Sequence, residues 1–132
     1  TQKLAEYSPA HNLEIEDSKV TELITQAELS HEGNIMQHCV GGYANAVKAG
    51  RSRIFSIVTP EGRSTLEVKS TIDKPCVVQH RSVRNTNPPK KNVNIVENIM
   101  EKLKDLYGKP DSYSPLFKLQ TLREEDINTL PF

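Results

Sequence analysis

The sequence predicts an α+β domain, a small antiparallel sheet of at least three strands packed against helices, and three observations carry that prediction. Arg53 to Thr59 and Ser64 to Lys69 are β-branched and aromatic runs on either side of Pro60-Glu61-Gly62-Arg63, the pattern of a hairpin. Cys76 to His80 follows the turn signal Asp73-Lys74-Pro75 and supplies a third strand, so an antiparallel meander is the economical topology. Val93, Val96, Ile99, Met100, Leu103, Leu106 and Tyr107 recur at helical spacing and make an amphipathic helix that covers one sheet face.

Taken in order, residues 1–24 form an N-terminal arm and strand. Pro9 and Asn12 break the arm, Leu13 and Ile15 alternate with Glu14 and Glu16 as in a strand, and Val20, Leu23 and Ile24 suit either helix or strand. The α+β core occupies 25–108. Thr25 and Glu28 have the spacing of a capping box, which starts a short helix that ends near Gly33. A second helix runs from Ile35 to Ala49 on the stripe Met36, Val40, Ala44 and Val47, with Gly50 as its C-terminal cap. Gly41-Gly42 disfavours that helix by about 1 kcal/mol per residue relative to Ala, so a close approach by backbone or ligand is expected there. In the strands, Ile54, Ser56 and Val58 share one face and Phe55 and Ile57 the other. The chain breaks at Asn85-Thr86-Asn87-Pro88-Pro89, and the last helix has Asn92 as its candidate N-cap and Gly108 just past its end. Residues 109–132, with Pro110, Pro115 and Pro131 and a weak capping box at Thr121 to Glu124, form a segment that wraps the domain or meets a neighbour.

Composition narrows the function classes. With 132 residues the chain has room for one core, and its 17 basic and 17 acidic side chains cancel. A net charge of zero removes the global attraction of a non-specific nucleic-acid or membrane-surface binder, so any basic footprint is local. No run approaches the ~20 apolar residues of a membrane span, and two cysteines are too few for a disulfide scaffold, so a reduced, cytoplasmic setting is expected. A single Cys39–Cys76 bridge is the alternative. The first residue is Thr1, not Met, which fits a mature product, an excised tag or a domain cut from a longer polypeptide, the last being the expectation.

Chemistry concentrates in Gln37-His38-Cys39-Val40-Gly41-Gly42-Tyr43, where an imidazole and a thiol sit beside two glycines. A thiol near a helix N-terminus is activated as a nucleophile, and Cys39 lies near the start of the second helix. Adjacent helical residues do not face each other, so His38 is poorly placed as the direct base for Cys39 and the base would come from the sheet. Cys39 as an inert core residue is the competing possibility. Cys39 and Tyr43 share a stripe beside the core stripe and look out of it together. A metal is not expected: Cys76 and His80, four apart on a strand, are about 13 Å apart, too far to join His38 and Cys39 around one ion. No cofactor is expected, and without phosphate-loop, nucleophile-elbow and zinc-protease motifs, nucleotide hydrolysis by those routes, α/β-hydrolase chemistry and zinc proteolysis lack their signatures. Arg81, Arg84, Lys90 and Lys91 flank the Asn85 loop and offer contacts to phosphate, without an aromatic for base stacking.

Glu32-Gly33, Met36, His38-Cys39-Val40-Gly41-Gly42-Tyr43, Ile54, Ser56, Ser64-Thr65-Leu66-Glu67, Val78-Gln79 and Asn85, in that order, resemble the PcfJ-like family of conjugative plasmids, phages and related mobile elements. The likeness spans Thr25 to Pro88 and departs at two positions: Val58 replaces an arginine and Ser82 a glycine. What it implies is a mobile-element or bacterial conflict setting and a site. Glu67, which alternation places with Thr65 and opposite Leu66 and Val68, is implied to face the helix cleft. Gln79 is implied to join it, leaving His80 on the opposite face as a surface residue that could act if the strand register differs.

The expected function is a small effector or toxin domain acting as a hydrolase or group transferase in a cleft between the Cys39 helix and the sheet. Cys39 is the nucleophile or His38 the acid/base, Glu67 and Gln79 orient groups, and Tyr43, Arg53, Ser56 and Asn85 bind substrate. The substrate is unassigned, with nucleic acid or nucleotide among the candidates. A cognate protein or the parent polypeptide is the other partner, and no membrane is involved. The alternative is a non-catalytic nucleic-acid-binding module using the basic loop 81–91.

Overall fold

The computed structural model describes residues 13–70, 75–107 and 132. Five strands form one antiparallel sheet in chain order: β1 (Leu13–Ile15), β2 (Ser18–Glu22), β3 (Arg53–Thr59), β4 (Gly62–Ser70) and β5 (Pro75–Arg81). Helices α1 (Gln26–Met36) and α2 (Ala44–Lys48) lie between β2 and β3, joined through a 3-10 segment, Cys39–Tyr43. A 3-10 turn, Val83–Asn85, leads to α3 (Lys90–Tyr107). The meander and the covering helix are as expected, and the stretch around Val20 that suited either state is a strand. The arm 1–12, Gly108, the capping box at Thr121 to Glu124 and all of 109–132 except Phe132 lie outside the described residues. Among those residues no helix is long and apolar enough to cross a membrane.

Register divides the sheet into two working faces. Val20 pairs with Ile57 and Phe55 with Leu66, so these side chains share a face, where they pack with Val68 and with Ile95, Ile99 and Leu103 of α3. The opposite face carries Ile54, Ser56, Thr65, Glu67 and Gln79, and there Ile54 clusters with Leu29, Val40 and Val47 from the helical side. Between β4 and β5 the register shifts, Glu67 opposing Gln79 while Val68 opposes Val77. The extra residue, Val78, keeps the apolar Val68 on the α3 side and Gln79 beside Glu67.

Polar groups anchor α3 to the sheet. Asn92, expected as an N-cap, instead lies inside the helix with no exposed surface. Its amide accepts from Thr59 Oγ1 (2.6 Å) and donates to Ser64 Oγ (2.9 Å) and to the carbonyls of Ile57 and Gly62 (both 3.2 Å). Helix formation starts earlier because Pro89 supplies the carbonyl that accepts from Val93 N–H, and the Glu61 carboxylate accepts from Lys91 N–H. His80 lies on this same face, opposite Leu66 and 2.7 Å from Ser64 Oγ, and burial pushes its pKa down to about 4. Arg53, expected to bind substrate, also points this way. It is fully buried in a two-point ion pair with Glu22, Nε to Oε2 at 2.8 Å and NH2 to Oε1 at 2.7 Å. Its place on β3, one residue out of step with Ile54 and Ser56, is what turns it from the cleft.

Two outcomes follow from these buried groups. Glu22→Ala removes the carboxylate facing the Arg53 guanidinium and should cost about 3–5 kcal/mol in urea unfolding; a loss under about 1 kcal/mol would mean that the pair is not held in solution. Above about pH 6.5 His80 is neutral in folded and unfolded chains alike, whereas below it the unfolded chain takes up the proton first. Stability is therefore complete above that value and falls as pH drops toward 4. From about pH 7 to about pH 5 the loss should be on the order of 2 kcal/mol, and His80→Gln should flatten it.

Candidate functional site

The cleft face is built by a helix that stops short. Thr25 caps α1 in a capping box with Glu28, as the spacing predicts, but the helix runs beyond Gly33 to Met36. It closes at Gln37, in the left-handed region (φ 54°), whose N–H returns to the Gly33 carbonyl. The expected second helix, Ile35 to Ala49, does not form as one piece. His38 is extended, Cys39–Tyr43 is 3-10 and only Ala44–Lys48 is α-helical. Gly41-Gly42 disfavours the α-helix here, and the His38 ring holds the break by accepting Val40 N–H at Nδ1 (3.4 Å). Gly50 caps α2 as expected, with Gly50 N–H to the Val47 carbonyl and Arg51 N–H to that of Ala46.

The close backbone approach expected at Gly41-Gly42 falls instead on Gly33. A Cβ there would meet the His38 carbonyl at 3.1 Å and the Gly41 nitrogen at 3.3 Å, whereas one on Gly41 has ordinary contacts and one on Gly42 open space. The crossing of α1 over the 3-10 segment at Gly33 lets His38 and Tyr43 reach down to the sheet.

Two buried carboxylates receive them. Glu32 Oε2 accepts from Thr65 Oγ1 (2.6 Å) and Oε1 from Arg63, whose NH2 lies at 2.7 Å and Nε at 3.1 Å. Because that carboxylate only accepts, the Thr65 proton points to Glu32, and the Thr65 oxygen accepts from His38 Nε2 at 3.1 Å. The imidazole is thereby fixed as its Nε2–H tautomer, with the Nδ1 lone pair met, among the described residues, by the long bond from Val40 N–H alone. Burial holds the His38 pKa below the ordinary histidine value, against the opposing pull of Glu32. Glu67 accepts from Ser52 Oγ (2.6 Å) and from Gln79 Nε2 (2.7 Å), and the same Gln79 amide donates to Tyr43 Oη (3.0 Å).

Of the residues singled out from sequence, His38, Tyr43, Glu67 and Gln79 therefore converge, in two adjacent networks on one sheet face. Cys39, between His38 and Tyr43 in sequence, is exposed, and both cysteines are free thiols. Ser56 is buried on the cleft face opposite Thr65, with no hydrogen-bond partner for its Oγ among the described residues. Arg53 lies on the far face, and Asn85 is exposed in a left-handed turn (φ 62°) outside both networks. Among the described residues no three His, Cys, Asp or Glu side chains are arranged to hold a metal ion.

Sequence reasoning gave no role in the cleft to Glu32, Thr65, Arg63, Ser52 or Phe132. Thr65 had a signal, since it lies two residues from Glu67 on the same strand face. Glu32 is three residues after Leu29 and four before Met36, on the buried stripe of α1, where a charge requires a partner. Phe132 had none: its ring stacks on His38 (centroids 5.2 Å apart, planes at 30°) and meets Tyr43 edge-on (5.2 Å, 69°).

In imidazole nitrogen NMR near neutral pH, His38 should show the Nε2–H tautomer; an Nδ1–H tautomer would overturn the orientation of the Thr65 hydroxyl. Thr65→Val leaves Glu32 Oε2 and His38 Nε2 each without that partner and should lower stability by about 1–3 kcal/mol.

No curated protein and no solved structure matches the chain. A family model described as PcfJ-like protein matches residues 1–96, a stretch that includes Glu32, His38, Tyr43, Thr65, Glu67 and Gln79. The chain belongs to the PcfJ-like family.

Proposed function

We propose that this domain is a small effector domain of a mobile-element or bacterial conflict system, a hydrolase or group transferase working in the cleft between Cys39–Tyr43 and the sheet. What supports it is the state of His38. The ring is kept neutral by burial, offers a weakly engaged Nδ1, and is backed through Thr65 by the Glu32 carboxylate. When Nδ1 takes a proton, the imidazolium is stabilised through Nε2–H, the Thr65 hydroxyl and Glu32, the service an acidic partner gives a catalytic histidine. His38 is thus the acid/base, and the exposed Cys39 thiol on the same rim is the nucleophile, reaching substrate from the solvent side. Glu67 holds Gln79 and, through it, Tyr43, and these two face substrate.

Less supports nucleic-acid binding by the loop 81–91. Arg84 gives its Nε to Gln37 (2.7 Å) and Lys91 is paired with Asp17 (2.6 Å), so two of the four loop cations already have partners.

A screen of activated esters and amides tests the proposal. The turnover found should fall about 100-fold in His38→Ala and in Cys39→Ala, and about tenfold in Thr65→Val. It should decline as pH drops through the lowered His38 pKa. Turnover that survives His38→Ala, or a profile flat across acid pH, would remove the catalytic role.

A further inference from the structure

The geometry points to the slot between His38 and Tyr43 as a subsite for an aromatic residue of a peptide substrate, with Phe132 as the chain's own occupant of it. As a statement about substrate this rests on the catalytic role proposed for the cleft; as a statement about binding it does not.

Two features of the slot define what it accepts. The first is a ring position. Phe132, 1% exposed, lies against the rings of His38 and Tyr43, within an apolar cluster that includes Val40 and Ile54. The second is a fixed acceptor beside it. Gln79 Oε1 accepts the Phe132 backbone N–H at 3.0 Å, and Gln79 has no freedom to reverse its amide, because its Nε2 is bound to the Glu67 carboxylate, an acceptor only. Glu67 is itself oriented by Ser52. The site therefore presents an acceptor at a set distance from an aromatic pocket, and a main-chain amide carrying an aromatic side chain satisfies both.

A peptide fits better than a nucleobase. A base is held between parallel planes, whereas the two walls here meet the ring at 30° and 69°, the mixed stacked and edge-on packing that aromatic side chains favour. The contact to Gln79 is made by backbone, so it is independent of which aromatic residue enters. Phe132 also lies outside the stretch matched by the family model, while His38, Tyr43 and Gln79 lie within it. The slot belongs to the shared domain, and its present occupant comes from beyond the matched stretch.

The test uses the full chain carrying Cys39→Ser, so that thiol chemistry plays no part, and N-acetyl-phenylalaninamide as probe. Binding is read from the His38 ring nitrogens, the Gln79 side-chain amide and the Phe132 amide by NMR. With Phe132→Ala added, the probe should bind at least about tenfold more tightly than to the chain that keeps Phe132, because the occupant no longer competes. N-acetyl-leucinamide should bind several-fold more weakly than the aromatic probe, and Gln79→Leu should weaken the aromatic probe about tenfold. Should Phe132→Ala fail to fold, excess probe added to the chain that keeps Phe132 decides: displacement shifts the Phe132 amide, and an unmoved amide at saturating probe marks a closed core and overturns the proposal. Equal binding of the leucine probe, or tighter binding of adenosine at the same residues, overturns it too. Probe binding without His38-dependent turnover would leave a peptide-binding slot and end the catalytic role; turnover without probe binding would do the reverse.

Discussion

Burial of two carboxylates on one sheet face is the constraint on which the rest of this structure depends. Glu32 and Glu67 have no exposed surface, and an uncompensated ion in such a place costs several kcal/mol. Each must be met by donors within a few ångströms. The protein meets them locally: Arg63 and Thr65 for Glu32, Ser52 and Gln79 for Glu67. The helical side must in turn come close enough to seal them from water, and that requirement explains Gly33, where a single added carbon would press on the His38 carbonyl. Packing, polar compensation and the position of His38 are thus one problem with one solution.

The two sheet faces divide the work. The α3 face is mainly apolar, and its polar groups, Asn92 with the hairpin and Arg53 with Glu22, fasten one element to another. On the cleft face the polar groups lead outward from buried acids to side chains at the rim, His38 by way of Thr65 and Tyr43 by way of Gln79. A chain of bonds that ends at the surface is what distinguishes a site from a core network, since only its outer members can meet a ligand.

Strand periodicity made much of this legible. The alternation of Ile54, Phe55, Ser56 and Ile57, and of Thr65, Leu66, Glu67 and Val68, fixes the two faces, and Val96, Ile99, Met100 and Leu103 mark the helix that covers one of them, although Val93, counted with that stripe, is exposed and Ile95 is buried in its place. Less legible was the segment after Met36, where the stripe Met36, Val40, Ala44 and Val47 is compatible with continuous helix. Gly41-Gly42 and the His38 cap break it, a local effect that periodicity does not register. Arg53 was misplaced for a related reason: the charge suggested a ligand, while its parity on β3 already assigned it to the side of Phe55. Partners distant in sequence, Glu32 with Arg63 or Phe132 with His38, depend on tertiary approach and leave no periodic trace. The family resemblance supplied what periodicity could not at Glu67 and Gln79.

His38 belongs through one ring to both the Glu32 network and the aromatic slot. Its edge is bound by Thr65, which sets the tautomer, and its face is covered by Phe132, which contributes to the burial that favours the neutral form. Any ring that leaves the slot admits water to the imidazole and relieves that desolvation, while Glu32, still joined through Thr65, continues to draw the proton on. Protonation and slot occupancy are therefore coupled with a definite sign: an occupied slot favours the neutral base, and an empty one favours the imidazolium. In the catalytic role proposed for His38, an aromatic group bound there does more than fill space, because its presence keeps Nδ1 in the form that accepts a proton.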